Sequence, residues 1–159
     1  VGDSLTYAND LDLHVKAFME AADPDAAIIV DRVVKGGAPL KQLWEETEAR
    51  QRIAAGSYDA VVLQEDLPET DVPSFRRAAR QFHKVIAASG ACTVLLMAWS
   101  YQRLGWISMD EIAKAHWDVA AELGASVAPA GLAWQRARDT KIKLYAEDGE
   151  HPSPCGTYL

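Results

Sequence analysis

The chain has only two cysteines, Cys92 and Cys155, in 159 residues. They form no CxxC pair, so the sequence offers neither a disulfide framework nor a thiolate zinc site. Cys92 opens an apolar run and reads as a small buried residue. No run approaches 18 apolar residues, which leaves nothing long enough to span a membrane as a helix. GxGxxG and GxxxxGK[ST] are both absent, and with them the usual phosphate-cradling loops. There is no HxH and no HExxH. Basic residues are outnumbered 16 to 23, giving a formal net charge of −7. That charge supplies no basic field for a phosphate backbone, so nucleic acid is not an expected partner.

What is present is ordinary for a folded domain: 49% apolar and 25% charged residues. Residues 1–159 read as a single domain with a real core. Both ends read as cut. Val1 enters a glycine turn as the last residue of a strand would, and Gly156-Thr157-Tyr158-Leu159 reads as the start of a helix that stops. No signal peptide is visible. Read as complete, the chain is cytoplasmic; with an N-terminal segment removed, it is secreted or periplasmic. The oligomeric state is not legible.

Short apolar runs alternate with amphipathic ones. Leu11, Val15, Phe18 and Met19 have helical spacing between Asp10 and Ala22. Ala26 to Val34, rich in Ile and Val, predicts a strand. Pro39 to Ala54 predicts a helix closed by Gly56. Ala60-Val61-Val62-Leu63 and Thr93-Val94-Leu95-Leu96-Met97 read as central strands covered on both faces. Asp71 to Ala88 predicts a helix with Pro73 in its first turn. Ser108 with Glu111 forms a capping box for a helix to Leu123. A short strand over Ala125 to Ala128 and a helix from Pro129 to about Arg138 complete the pattern. β-loop-α recurs about five times, which predicts an α/β fold: a three-layer α/β/α sandwich on a parallel five-stranded sheet.

In such a sheet, ligands gather at the carboxyl ends of the strands. Four segments follow strands there: Gly2-Asp3-Ser4, Gly36-Gly37, Gln64-Glu65-Asp66 and Trp99-Ser100-Tyr101-Gln102. The segment Asp148-Gly149-Glu150-His151-Pro152 can fold back over the same edge. Ser4 reads as a nucleophile or as a plain helix cap. Of the four histidines, His14, His83 and His116 sit in helical stretches, whereas His151 lies in a polar loop. Asp148, three residues earlier, is placed to hold its Nδ1–H and aim Nε2 at Ser4. A simple surface turn is the other reading of that loop. The N–H groups of Ser4 and Gly37 and the amide of Gln64 are candidate oxyanion donors, though Gly36-Gly37 also reads as a bare turn. Trp99, Tyr101 and Trp106, with Leu104, form either a substrate wall or local packing. Asp3, Asp66, Asp148 and His151 are the side chains a hard divalent ion would use in a competing metal hydrolase.

With these residues in hand, the chain resembles the SGNH (GDSL-like) hydrolase superfamily over essentially its whole length. Gly2-Asp3-Ser4-Leu5 matches the first block, Gly37 the glycine of the second, and Asp148-Gly149-Glu150-His151-Pro152-Ser153 the last. The third block, usually Gly-x-Asn-Asp, reads Val62-Leu63-Gln64-Glu65-Asp66 here, as in branches that carry Val-Leu-Gln-Glu. Gln64 then stands for the asparagine, one methylene longer. The resemblance implies a flavodoxin-like sandwich and a serine esterase that needs no metal or organic cofactor. Ser4, His151 and Asp148 would be its triad, and Ser4, Gly37 and Gln64 its oxyanion hole. A small-molecule or carbohydrate ester, acetyl in the first instance, would be the substrate. The alternatives are a lipase or thioesterase of the same fold, or a non-catalytic carbohydrate-binding domain that retains it.

Overall fold

A computed structural model describes residues 1–159. Three of the apolar runs pair as one parallel sheet in the order β1 (Ala60–Gln64), β2 (Cys92–Leu96), β3 (Ser126–Ala128). Ala60 lies opposite Cys92, Gln64 opposite Leu96, and Val94 opposite Ser126. Parallel neighbours need long crossovers. Helix α5 (Val72–Ala88) supplies the first and α6 (Met109–Leu123) the second. Both helices start where the chain provides a cap. The Asp71 carboxylate accepts from Ser74 N at 2.7 Å, and the Ser108/Glu111 pair is reciprocal.

Strand alternation sends Val61, Leu63, Thr93 and Leu95 to one face, where they are buried. Phe75, Phe82 and Ile86 of α5 and Ile112 and Val119 of α6 close over them. Leu40 and Leu43 of α3 (Leu40–Glu46) and Ile53 of α4 (Ala49–Ala55) complete this core. Each such side chain contributes roughly 1.5–3 kcal/mol by leaving water. The opposite face is not covered along its length: Val62 is 42% exposed and Cys92 is exposed. The expectations of strands buried on both faces and of a buried Cys92 are therefore corrected.

The five-stranded flavodoxin-like sheet is corrected too, since only three strands form. Val1 runs beside β1, with Gln64 N donating to Val1 O at 2.9 Å and Val1 N to Val62 O at 2.8 Å. Beyond it lies one isolated parallel bridge, Gly2 to Val34. A ladder needs consecutive residues on both partners. Residues 26–32 have no such partner alongside. That stretch is irregular instead, with Ile29 91% exposed and Asp31 and Arg32 drawn into ion pairs with Arg52 and Asp12.

The helix expected over Pro39 to Ala54 is two helices. The Thr47 hydroxyl bonds back to Leu43 O, and Ala49 N donates to Thr47 Oγ1 at 3.2 Å, so one threonine ends α3 and opens α4. At the N-terminus a single turn, α1 (Ser4–Tyr7), leads through a 3-10 turn to α2 (Leu11–Ala22). The apolar residues of α2 are not buried. At the C-terminus come α7 (Ala130–Ala137) and α8 (Pro154–Tyr158). A second apolar cluster gathers near the sheet's carboxyl end: Leu5, Ala98, Trp99, Tyr101, Trp134 and Leu144, with the Trp99 and Trp134 rings stacked at 3.7 Å. No helix is long and apolar enough to cross a membrane.

Candidate active site

The turn after Val1 is fixed by its own residues. The Asp3 carboxylate accepts from Leu5 N at 2.8 Å and so caps α1, which begins at Ser4. Asp3 itself is buried, and burial holds its pKa above the ordinary carboxylate range. Ser4 N–H, first in the helix, makes no bond to the backbone.

The loop carrying His151 is held at several points. Ala146 N donates to His151 O at 2.8 Å, Gln102 N to Gly149 O at 2.8 Å, and Trp99 Nε1 to Glu150 O at 2.9 Å. Arg103 Nε donates to Glu150 at 2.6 Å. From the N-terminal segment, Asn9 Nδ2 reaches Pro152 O at 2.9 Å and Thr157 Oγ1 at 2.8 Å. Gly149 has φ +71°, and a Cβ there would stand 3.2 Å from the Gln102 side chain. A side chain is disfavoured at that position on both counts.

These constraints bring Ser4 and His151, 147 positions apart, into contact: Ser4 Oγ lies 2.8 Å from His151 Nε2. On the other side of the ring, Nδ1 lies 2.8 Å from Asp148 Oδ2. Asp148 Oδ1 accepts from the backbone N–H groups of Glu150 and His151, each at 2.9 Å. The Glu150 N–H, then the His151 ring, hold the Asp148 carboxyl down to about 2, so it is a carboxylate at any ordinary pH. A hydroxyl, an imidazole and a carboxylate in one hydrogen-bonded line form an arrangement able to move a proton off the serine.

Gly37, with φ +63°, lies close by in the chain fold, because Lys35 N donates to Gly2 O at 3.2 Å. It is exposed, its N–H has no partner, and no atom lies within 4 Å of where a Cβ would be.

The remaining expected site residues differ in burial. Gln64 is 0% exposed, and its Nε2 has no hydrogen-bond partner. Trp99 and Tyr101 are buried in the second cluster, with Trp99 stacked on Trp134. Aromatic character alone does not distinguish wall from packing. Trp106 is 66% exposed. Asp66 is buried and accepts from Tyr101 OH at 2.7 Å. Burial raises it, and Glu65 beside it, to about 7. Glu65 faces the N–H of Leu40, where α3 lacks a side-chain cap of its own. No three His, Cys, Asp or Glu side chains converge as a metal site. The residues that sequence reasoning missed are Asn9 and Arg103, which act through the His151 loop. Nothing in their local pattern marks them, since each partner is far away in the chain.

No family model and no curated protein matches the chain. Solved structures do. A candidate SGNH hydrolase from Slackia heliotrinireducens superposes with a TM-score of 0.77 at 28% identity, over 98% of this chain and 89% of that one. The chain is assigned to the SGNH (GDSL-like) hydrolase superfamily. Two further structures share the fold at lower identity. Axe2, an acetylxylan esterase from Geobacillus stearothermophilus, gives a TM-score of 0.79 at 17% identity, over 98% of this chain and 86% of that one. A lipase/acylhydrolase from Enterococcus faecalis gives 0.74 at 20%, over 98% and 86%. Assignment to this SGNH superfamily supports a hydrolase acting on esters.

Proposed function

We propose that the protein is a serine esterase that cleaves small acyl esters, acetyl esters first among them, through an acyl-serine intermediate. The single observation carrying this is the unbroken line Asp148–His151–Ser4, with both contacts at 2.8 Å. The preference for acetyl is supported by the fold shared with an acetylxylan esterase.

In this mechanism Ser4 Oγ attacks the ester carbonyl carbon while its proton passes to His151 Nε2. The carbonyl π pair moves onto oxygen, and the N–H groups of Ser4 and Gly37 meet that charge. Asp148 keeps the proton of Nδ1 in place and stabilises the imidazolium. His151 then gives the Nε2 proton to the leaving alkoxide as the C–O bond breaks, which leaves acyl-Ser4 and the free alcohol. A water molecule, losing a proton to the same Nε2, attacks the acyl carbon; its collapse returns the serine hydroxyl and releases the carboxylic acid.

The test is turnover of p-nitrophenyl acetate by the natural sequence and by Ser4→Ala, with organophosphate labelling read by mass. Wild-type turnover that falls at least about 10³-fold in the variant, and a single adduct on Ser4, are the expected results. Equal rates in both proteins, or a serine that stays unlabelled, would overturn the proposal. A series of p-nitrophenyl esters of rising acyl length then separates an acetyl esterase from a lipase or thioesterase.

A further inference from the structure

Gln64 is the last residue of β1. Alternation along the strand points it away from the helix-covered face that holds Leu63 and toward the serine turn. Its Oε1 accepts from Asp3 N at 2.8 Å and from Thr6 Oγ1 at 2.9 Å. A backbone N–H can only donate, so the atom facing Asp3 is the amide oxygen, and Nε2 occupies the other fork. Room for this contact depends on Gly2. A Cβ there would stand 2.0 Å from Thr6 Oγ1 and 2.6 Å from Gln64 Oε1.

The consequence for Ser4 is specific. Asp3 N–H is taken by Gln64, and Leu5 N–H is taken by the Asp3 carboxylate. The Gly2–Asp3 and Ser4–Leu5 peptide planes are thereby fixed, the Asp3–Ser4 plane between them is held by Thr6 N donating to Asp3 O at 3.1 Å, and the one N–H of the turn left open is that of Ser4. Gln64 Nε2 is buried, without a partner, and closed to solvent, whereas the Ser4–His151 contact is only partly buried.

We propose that Gln64 is a positioning residue that acts through its carbonyl oxygen, clamping Asp3 N–H and the Thr6 hydroxyl so that the Ser4 Oγ and N–H hold their aim. This rests on the esterase reading of Ser4, and it gives Gln64 a carbonyl role distinct from the amide-donor role that the sequence pattern suggested.

The experiment compares Gln64→Met, Gln64→Glu, Thr6→Val and the Gln64→Met/Thr6→Val double variant, each with kcat, KM and thermal midpoint on p-nitrophenyl acetate. Met keeps the length and loses the acceptor, whereas Glu keeps an acceptor at the same place. Gln64→Met is expected to lose about 10- to 100-fold in kcat with KM within about twofold, the scale of a misaimed reacting group. Gln64→Glu should recover most of that loss. Thr6→Val should show a smaller loss, and the double variant should be no worse than Gln64→Met, because both changes open one clamp. Amide hydrogen exchange at Asp3 is the readout independent of turnover. It should speed up at least about tenfold in Gln64→Met and stay near wild type in Gln64→Glu.

Gln64→Glu as impaired as Gln64→Met, with Thr6→Val indistinguishable from wild type, would assign the role to the amide N–H and overturn the proposal. So would unchanged Asp3 exchange in Gln64→Met. If wild type itself shows no Ser4-dependent turnover, the esterase reading fails, and Asp3 exchange still decides whether the clamp exists.

Discussion

Asp148→Asn tests the line of proton movement most sharply, because the structure dictates which way the new amide must face. Asp148 Oδ1 accepts from two backbone N–H groups, those of Glu150 and His151, while Oδ2 meets one ring nitrogen. Turning the asparagine NH₂ toward the backbone would set donor against donor twice. Its oxygen therefore stays with the backbone, and NH₂ faces His151 Nδ1. The ring must then accept at Nδ1 and carry its proton on Nε2, pointing at Ser4 Oγ, where it cannot take the serine proton. A wrong tautomer in a buried triad costs about 10⁴-fold in kcat. Here the acid side chain is 50% exposed, so water can partly serve in its place, and the expected loss is about 10²–10³-fold. That corresponds to about 3–4 kcal/mol of transition-state stabilisation. KM should stay within about threefold, and the melting midpoint should shift by no more than about 2 °C, because the loop-closing bonds to Oδ1 survive. The assay is hydrolysis of p-nitrophenyl acetate, paired with imidazole ¹⁵N shifts that report the tautomer. A variant whose tautomer has moved to Nε2–H but which keeps kcat within about threefold of wild type would refute the reasoning.

Other measurements address stability and loop geometry. Asp66 and Glu65 have folded-state pKa values raised to about 7, chiefly by burial. Between pH 4 and 7 the folded chain therefore binds protons that the unfolded chain has released, and stability falls as pH rises through that window and levels off above it. For the two together the fall is about 2–4 kcal/mol from pH 5 to pH 8, or roughly 5–15 °C in melting midpoint. Asp66→Asn, which still accepts from Tyr101 OH, should flatten part of the decline; a midpoint that rises from pH 5 to pH 8 in wild type would contradict it. Gly149→Ala places a Cβ at φ +71° and 3.2 Å from Gln102, so it should cost about 1–2 kcal/mol and lower kcat more than it raises KM. Asn9→Ala removes the tie to Pro152 O; a loss of about 1 kcal/mol by denaturant midpoint and a several-fold drop in kcat are the expected outcomes.

What the sequence made legible was local. The strands at Ala60–Gln64 and Cys92–Leu96 follow from short runs of branched apolar residues, and α6 from a capping box that the structure contains in full. Ser4 and the Asp148–His151 pair stood out because their spacing within a few residues carries a chemical meaning. The stretch Ala26 to Val34 shows the limit. Its composition suits a strand, but a strand exists only where another backbone lies alongside, and residues 26–32 have none. The break between α3 and α4 turns on one threonine hydroxyl choosing a carbonyl four residues back. The buried state of Trp99 and Tyr101 depends on Trp134 and Asp66, each 35 residues away in the chain. No window of local pattern spans that distance.

Gln64 joins these two kinds of information. By position it falls in the block where the superfamily pattern puts an oxyanion amide, and by chemistry an amide is able to donate. Orientation decides which end of the amide meets which partner, and it comes from Asp3 N–H, which can face only the oxygen. The same contact explains why position 2 is glycine, since any side chain there would collide with the clamp. The Gly-Asp-Ser-Leu motif thus has a physical reading in this chain: glycine admits the glutamine, aspartate caps the turn and offers its N–H to the clamp, serine presents the hydroxyl, and Leu5 anchors the turn in the second apolar cluster. If that reading holds, Gly2→Ala should lower kcat as much as Gln64→Met does, by displacing the same oxygen. A Gly2→Ala protein that keeps full activity and unchanged Asp3 exchange would show that the turn holds its aim without the clamp.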